Sequence, residues 1–311
     1  MSHADAIAIR GLVVSYGAGV PAVSGVDLTL GAGRTLGVVG ESGSGKSTLA
    51  RALVGLAPIS GGSIELFGRD LAAMSRAERR RWLPFHVQII FQDPVASLSP
   101  RMTLGRALAE PFRIHGRAVD REAIAALLAA LGLPESLSAK YPHQVSGGQA
   151  RRVAIARALM LKPRFLIADE PTAGLDVSVQ GDFLNFMTRI QAQFGLGILF
   201  ISHNLSVVAR TTQELAVLYL GRIVETGDTR AIFAHPRHPY THALLSAAPT
   251  IDPERRKQRV ILRGEMASPG NPPGGCRFHP RCPLAAERCR TEEPQLRSEE
   301  AGRRFACHFP L

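Results

Sequence analysis

Gly40-Glu41-Ser42-Gly43-Ser44-Gly45-Lys46-Ser47-Thr48 decides the fold. The stretch satisfies G-x-x-x-x-G-K-[ST], the pattern of a loop that wraps the phosphates of a nucleotide. Its glycines allow backbone N–H groups to turn inward around a polyanion, where a β-carbon would stand in the way. Lys46 supplies a point charge for the β- and γ-phosphates, and Ser47 a hydroxyl for Mg²⁺. Just upstream, Arg34-Thr35-Leu36-Gly37-Val38-Val39 reads as a short buried strand. Downstream, Ser47 to Leu53 reads as a helix whose N-terminus faces the phosphates.

The segments around this loop give an α/β pattern. Residues 7–14, 23–30 and 62–67 alternate apolar and polar side chains, as strands half-exposed on a sheet do. Residues 87–91 form a further strand before the turn at Asp93-Pro94. Residues 104–114, 121–131 and 149–161 have helical spacing, the last with arginines along one side. Two continuous apolar runs, 165–168 and 197–201, flank a helix at 177–193. Such alternation predicts a mainly parallel sheet covered on both faces. Residues 214–220 and 222–225 read as a closing hairpin. From about residue 250, Pro, Gly, Arg and all four cysteines gather, which predicts a separate C-terminal appendage.

Composition narrows the classes. The chain has 311 residues, 45% of them hydrophobic, enough for a large core. No run of about eighteen uncharged apolar residues is present, so no membrane span is expected. Met1-Ser2-His3-Ala4-Asp5 lacks the basic and apolar regions of a secretory signal, so a cytosolic chain without structural disulfides is expected. The net charge is +11 and the basic residues are almost all arginine. Arg79-Arg80-Arg81 and Arg255-Arg256-Lys257 read most simply as solvated faces, then as membrane-facing patches, with nucleic acid third.

Two further motifs carry chemistry. Phe165-Leu166-Ile167-Ala168-Asp169-Glu170 is an apolar strand ending in two carboxylates. In phosphoryl transfer the first acid sits near Mg²⁺ and the second orients or deprotonates water. Val145-Ser146-Gly147-Gly148-Gln149 opens a helix. By itself it reads as an ordinary N-cap at Ser146, but beside a phosphate loop it offers a second anion site. A phosphate held between two subunits would use both.

Together these residues resemble the ATPase subunits of ABC transporters. Ser146-Gly147-Gly148-Gln149 and the helix through Leu159 resemble the family's signature helix. The resemblance implies that Tyr16 stacks on adenine, and that Gln92 touches Mg²⁺ and the attacking water and relays to the permease. It also implies that the loop ending at Asp176 crosses the dimer interface and that His203 is the switch histidine at the γ-phosphate. Residues 91–102, His238-Pro239-Tyr240-Thr241-His242 and the tail from Gly264 are similar to the oligopeptide and dipeptide importer ATPases, especially the second of their paired subunits. Val145, Ala150 and Asn204 depart from the commoner residues without removing a catalytic group.

The fold implied is a P-loop NTPase of ABC type. It has a RecA-like parallel core, an antiparallel β subdomain, a helical signature subdomain at about 95–162 within an ATPase domain of 1–249, and a Cys-rich appendage at 250–311. The function implied is ATP-driven import of peptides or related small solutes, with a non-transport ATP switch as the alternative. ATP and Mg²⁺ would bind Gly40, Ser42, Gly43, Ser44, Gly45, Lys46, Ser47, Thr48, Gln92 and Asp169, with Glu170, His203, Lys46 and Gln92 as the catalytic group. The partners implied are a second, non-identical ATPase subunit, two membrane permeases and, indirectly, an extracytoplasmic solute-binding protein. The chain would lie peripherally on the cytoplasmic face of the membrane and bind no nucleic acid.

Cys276, Cys282, Cys289 and Cys307 are the chain's only cysteines. Four thiolates suit an iron–sulfur cubane or tetrahedral zinc. Their gaps exceed the close pairs usual for zinc, and the resemblance to importer tails implies a [4Fe–4S] cluster that staples a small, core-poor subdomain.

Overall fold

The computed structural model describes residues 6–17, 19–247, 260, 262, 264–299 and 302–311. The expected boundary near 250, the basic run at 255–257 and residues 1–5 lie outside them. In chain order the elements are β1 (Ala6–Val14), β2 (Val23–Gly31), β3 (Thr35–Val39), α1 (Lys46–Leu53), β4 (Gly61–Leu66), β5 (Arg69–Asp70), α2 (Arg76–Trp82), β6 (Val87–Ile90), α3 (Leu104–Ile114), α4 (Arg121–Ala130) and α5 (Gly147–Leu159). They continue as β7 (Phe165–Asp169), α6 (Val177–Phe194), β8 (Gly197–Ile201), α7 (Leu205–Thr211), β9 (Glu214–Tyr219), β10 (Arg222–Asp228), α8 (Thr229–Ala234), α9 (Pro239–Ser246), α10 (Glu287–Thr291), β11 (Arg297–Ser298) and β12 (Arg304–Phe305). The chain forms two compact units, residues 1–73 with 199–311, and residues 74–198. Among the described residues no helix is long and apolar enough to cross a membrane.

The first unit holds an antiparallel sheet in the order β2-β1-β4-β5. Its alternating residues place Ile7 opposite Leu30, and Ile9 opposite both Leu28 and Ile64. One face is thereby buried, which is what the two-residue period demands. In the same unit β3 runs parallel to β9, with Val38 opposite Ala216. The chain turns at Leu220-Gly221 and β10 returns antiparallel to β9. Short β12 then adds to β10, and β11 to β12. All five residues of β3 are buried, as a strand covered on both faces must be.

The C-terminal residues are built into this unit. Phe278 is fully buried in a cluster with Val39, Val217, Tyr219, Ile232 and Tyr240. The rings of Tyr219 and Phe278 meet edge-on at 5.3 Å and 84°, and those of Tyr219 and Tyr240 at 4.6 Å and 62°. Such contacts contribute about 0.5–1.5 kcal/mol each beyond area burial. Glu225, fully buried on β10, pairs with the guanidinium of Arg303 and accepts from the backbone N–H groups of Arg237 and His238, both at 2.9 Å. These bonds satisfy a carboxylate that would otherwise be too costly to bury.

In the second unit β6 and β7 pair in parallel, Ile90 opposite Ala168. Helix α2 carries Arg79, Arg80 and Arg81 and buries no residue. The helix stands through its capping box, Ser75 with Glu78. Helices α3 and α4 are capped by Thr103 and Asp120 side chains. Helix α5 begins at Gly147, two residues before the expected 149, because Ser146 caps it.

Candidate active site

In the first unit the phosphate loop leaves β3 and enters α1. Gly40 has φ 156°, and a β-carbon there would lie 2.2 Å from the Leu218 carbonyl oxygen. Gly45 has φ 106°, and its β-carbon would meet the Ala22 carbonyl oxygen at 2.5 Å. Both positions therefore require glycine. The Gly221 N–H donates to the Ser44 carbonyl at 2.8 Å, pinning the loop to the β9–β10 turn. Lys46 is only 5% exposed, and its Nζ donates to the carbonyls of Gly40 and Glu41, both at 2.8 Å. The cation thus spans the loop interior.

Ser44 is fully buried and its Oγ has no hydrogen-bond partner. A buried hydroxyl left unpaired calls for an explanation. In a glycine-built cradle closed by a lysine, a phosphate oxygen supplies one, so these residues fit a nucleoside triphosphate. Ser42 and Gly43 face outward, while Ser47 and Thr48 are half-buried in the first turn of α1.

Tyr16 and His203 belong to the same unit. Tyr16, 55% exposed, lies in the β1–β2 loop, the loop whose Ala22 abuts Gly45. His203 is exposed just past β8. The Ser202 N–H donates to the Val38 carbonyl at 3.2 Å, which sets His203 beside the end of β3. Asn204 then caps α7, its Oδ1 accepting from the N–H groups of Ser206 and Val207 at 3.1 and 3.4 Å. An asparagine performs this capping as well as an aspartate, so the departure at 204 leaves the local fold intact.

In the second unit, the pairing of β6 with β7 brings Gln92 and the two acids to the same end of the sheet. Asp169 is buried. Glu170 has φ 48°, a left-handed conformation uncommon outside glycine. Its carbonyl accepts from the Ala173 N–H at 3.0 Å, turning the chain sharply at the end of β7. Asp93 secures the segment after Gln92 by accepting from the N–H groups of Val95 and Ala96 at 3.1 and 3.2 Å. Asp176 caps α6: its Oδ1 accepts from the Val179 N–H at 2.9 Å and the Ser178 hydroxyl at 2.7 Å, and these bonds lower its pKa.

Ser146 and Gln149 form a reciprocal capping box at 3.2 Å each way. Both readings of this segment meet here. The Ser146 oxygen accepts from the Gln149 N–H, and the hydroxyl proton stays available to an anion. A β-carbon on Gly147 or Gly148 would meet nothing within 4 Å, so that helix start is open.

The geometry invites comparison with known proteins. The ABC transporter family matches residues 23–173, and the oligopeptide/dipeptide transporter C-terminal region matches residues 224–289. The chain is 47% identical to the di/tripeptide transport ATP-binding protein DppF of Pseudomonas aeruginosa, over 96% of this chain and 93% of that one. It belongs to the ABC-transporter ATP-binding proteins. It is likewise 46% identical to the oligopeptide transport ATP-binding protein OppF of Salmonella typhimurium, covering 88% of this chain and 84% of that one. Among solved structures, cbiO1 from Clostridium perfringens, part of the ABC transporter complex cbiONQ, superposes with a TM-score of 0.67 at 28% identity, covering 73% of this chain and 90% of that one. The chain is thus an ATPase subunit with the ABC cassette fold.

Sequence reasoning missed several residues that hold this ABC cassette together. Arg151 of the signature helix donates from Nη1 to the Pro171 carbonyl at 3.2 Å, fixing the backbone just after Glu170. Burial lowers its pKa and the charge of Asp93 opposes that shift. Arg157 donates to the Ser97 carbonyl at 2.8 Å and pairs with Glu110 at 2.6 Å, tying the segment after Gln92 to α3 and α5. The visible signal was the arginine stripe along α5. Its targets, distant in sequence, were not.

The four cysteines line one small cavity with His238 and Phe278. The Cys276 N–H donates to the Cys289 carbonyl at 2.8 Å, and no disulfide joins them. Burial raises the pKa of Cys276 and Cys282 and pushes Cys307 up to about 11. His238, whose Nδ1 accepts from the Tyr240 N–H at 3.0 Å, is pushed down to about 3 by burial and is neutral at physiological pH. The donor set fits an iron–sulfur cluster or zinc. However, among the described residues no group of three or more His, Cys, Asp or Glu side chains is arranged to hold a metal ion. The four thiols line a cavity of about 10 Å³.

Proposed function

We propose that this chain powers an ABC importer for peptides or related small solutes. The observation that carries the reading is the match of residues 224–289 to the oligopeptide/dipeptide transporter C-terminal region. The relatives named for di/tripeptide and oligopeptide transport support it over nearly the whole length. In this reading residues 1–249 form the ATPase domain, with a helical subdomain at about 95–162, and 250–311 the importer-type C-terminal domain.

ATP sits on Gly40 to Thr48, with adenine on Tyr16, and meets Ser146-Gly147-Gly148-Gln149 and the Asp176 loop of a second, non-identical ATPase subunit. Ser47, Gln92 and Asp169 would hold Mg²⁺, which when bound would supply positive charge to offset the phosphates. Glu170 activates water, Lys46 stabilises the developing phosphoryl charge, and His203 holds the γ-phosphate. ATP favours the closed dimer because only that state satisfies both anion sites.

A concave surface in the second unit, lined by Gln88, Phe91, Pro94, Ile114 and Arg157, receives a short helix from one of two membrane permeases. Phe91 and Ile114 are both exposed there. The protein therefore works peripherally on the cytoplasmic face, with a solute-binding protein on the other side. Reconstituted with its permeases in proteoliposomes, it is expected to hydrolyse ATP several-fold faster when solute-loaded binding protein is supplied. Unchanged hydrolysis, with no permease retained on purification, would favour a non-transport ATP switch.

The converging thiols of Cys276, Cys282, Cys289 and Cys307 support a [4Fe–4S] cluster that staples the C-terminal segment, with zinc as the alternative. Anaerobically purified protein is expected to be brown, with iron and acid-labile sulfide near four per chain. A colourless preparation with one zinc per chain would replace the cluster by zinc.

A further inference from the structure

Glu41 is the second residue of the phosphate loop, at a position the motif leaves free. A carboxylate there is a liability, because the loop must accept a polyanion. The structure restrains the carboxylate through one partner and the backbone of Glu41 through two others. Both Glu41 oxygens lie 3.0 Å from Nη1 of Arg281, a side chain only 9% exposed. The Glu41 N–H donates to the Tyr240 hydroxyl at 2.9 Å, and the Glu41 carbonyl accepts from Lys46 at 2.8 Å. Arg281 also hydrogen-bonds to Tyr219, and Tyr219, Tyr240 and Phe278 share one buried cluster. Phe278 and Arg281 belong to the same short C-terminal turn. That turn is therefore rooted in the core of the first unit and reaches the phosphate loop through a single guanidinium.

We propose that Arg281 is a positioning residue of the ATP site: it draws the Glu41 carboxylate away from the phosphates and so sets nucleotide affinity from the C-terminal segment. This rests on reading the Gly40–Thr48 loop as the ATP site. Without Arg281, the Glu41 carboxylate loses the ion-pair partner that holds both its oxygens, and its charge opposes that of the phosphates. The penalty grows with phosphate charge, so it falls on ATP more than on ADP, and on ADP more than on AMP. Removing the Glu41 charge as well removes the penalty.

The test is a double-mutant cycle on the full-length chain, titrated calorimetrically with the Mg²⁺ complex of a non-hydrolysable ATP analogue. Arg281→Met is expected to weaken binding at least about tenfold, from a like charge set close to the phosphates. Glu41→Gln is expected to bind at least as tightly as wild type. The pair Arg281→Met/Glu41→Gln is expected to return to within about threefold of wild type, since a pair removed together leaves no buried charge unmatched. A purely structural role for Arg281 would lower thermal stability and give no rescue by Glu41→Gln. An unchanged affinity in Arg281→Met, or a double variant as weak as Arg281→Met, overturns the proposal. Should Arg281→Met not fold, the double variant decides: wild-type affinity supports the proposal and weak binding overturns it. Wild-type protein that binds no analogue at all would instead defeat the assignment of the loop.

Discussion

Glu170→Gln is expected to slow ATP turnover by about 10²–10³-fold while leaving MgATP affinity within about threefold of wild type. The replacement keeps the size and the hydrogen-bonding reach of the side chain but removes its capacity to take a proton, a function worth about 10²–10⁴ in rate for a well-placed base. The local backbone argues against a folding defect. The turn after Glu170 is held by its own carbonyl, accepting from the Ala173 N–H at 3.0 Å, and by Arg151 on the Pro171 carbonyl at 3.2 Å. Neither bond uses the carboxylate. The φ of 48° is as accessible to glutamine as to glutamate, so whatever strain it carries is unchanged. If ATP glues two subunits together, the variant should also accumulate as a nucleotide-bound dimer on size-exclusion chromatography, because the bridging γ-phosphate is no longer removed. Near-normal steady-state hydrolysis would take Glu170 out of its assigned role.

What could be read from the chain followed the range of the interactions. The phosphate loop was legible because its demands are local. Gly40 and Gly45 must lack a β-carbon, and Lys46 must reach back five and six residues to the carbonyls it holds. The strands β3, β7 and β8 were legible because complete burial forces continuous apolar runs. Helix α2 escaped notice because it buries nothing and so has no apolar period; its capping box was its only signal. Strands β11 and β12, of two residues each, are too short to show alternation; β12 forms on the edge that β10 offers, and β11 on that of β12. The hydrogen bonds that complete the site are non-local. Arg281 lies 240 residues from Glu41, and Tyr240 lies 199 residues from it, so no periodicity or motif could have joined them. The thiols sit between these cases: their clustering in sequence announced a shared site, while whether their sulfur atoms form a coordination sphere is a matter of geometry.

The second large effect concerns Lys46. Lys46→Met is expected to weaken MgATP binding by about 10²–10³-fold and to reduce hydrolysis to background. Methionine keeps most of the buried stem, so packing under α1 changes little and the loss is that of the charge. Two consequences pull in opposite directions in the free protein. Removing the ammonium frees the loop from a desolvated cation, yet leaves the Gly40 and Glu41 carbonyls without the donor that holds each at 2.8 Å. A buried acceptor left unpaired costs about 1–3 kcal/mol, partly offset by the charge no longer buried, so thermal stability should fall only slightly. Binding has no such offset. A charge-assisted hydrogen bond to phosphate in a water-poor cradle contributes several kcal/mol, and no other lysine occurs among Gly40 to Thr48 to replace it. The loss should also scale with phosphate number, nearly absent for AMP and greatest for ATP. A variant that binds AMP, ADP and ATP with equally reduced affinity would mean that Lys46 merely shapes the loop. A variant that binds ATP normally would mean that the triphosphate is not seated on this loop at all.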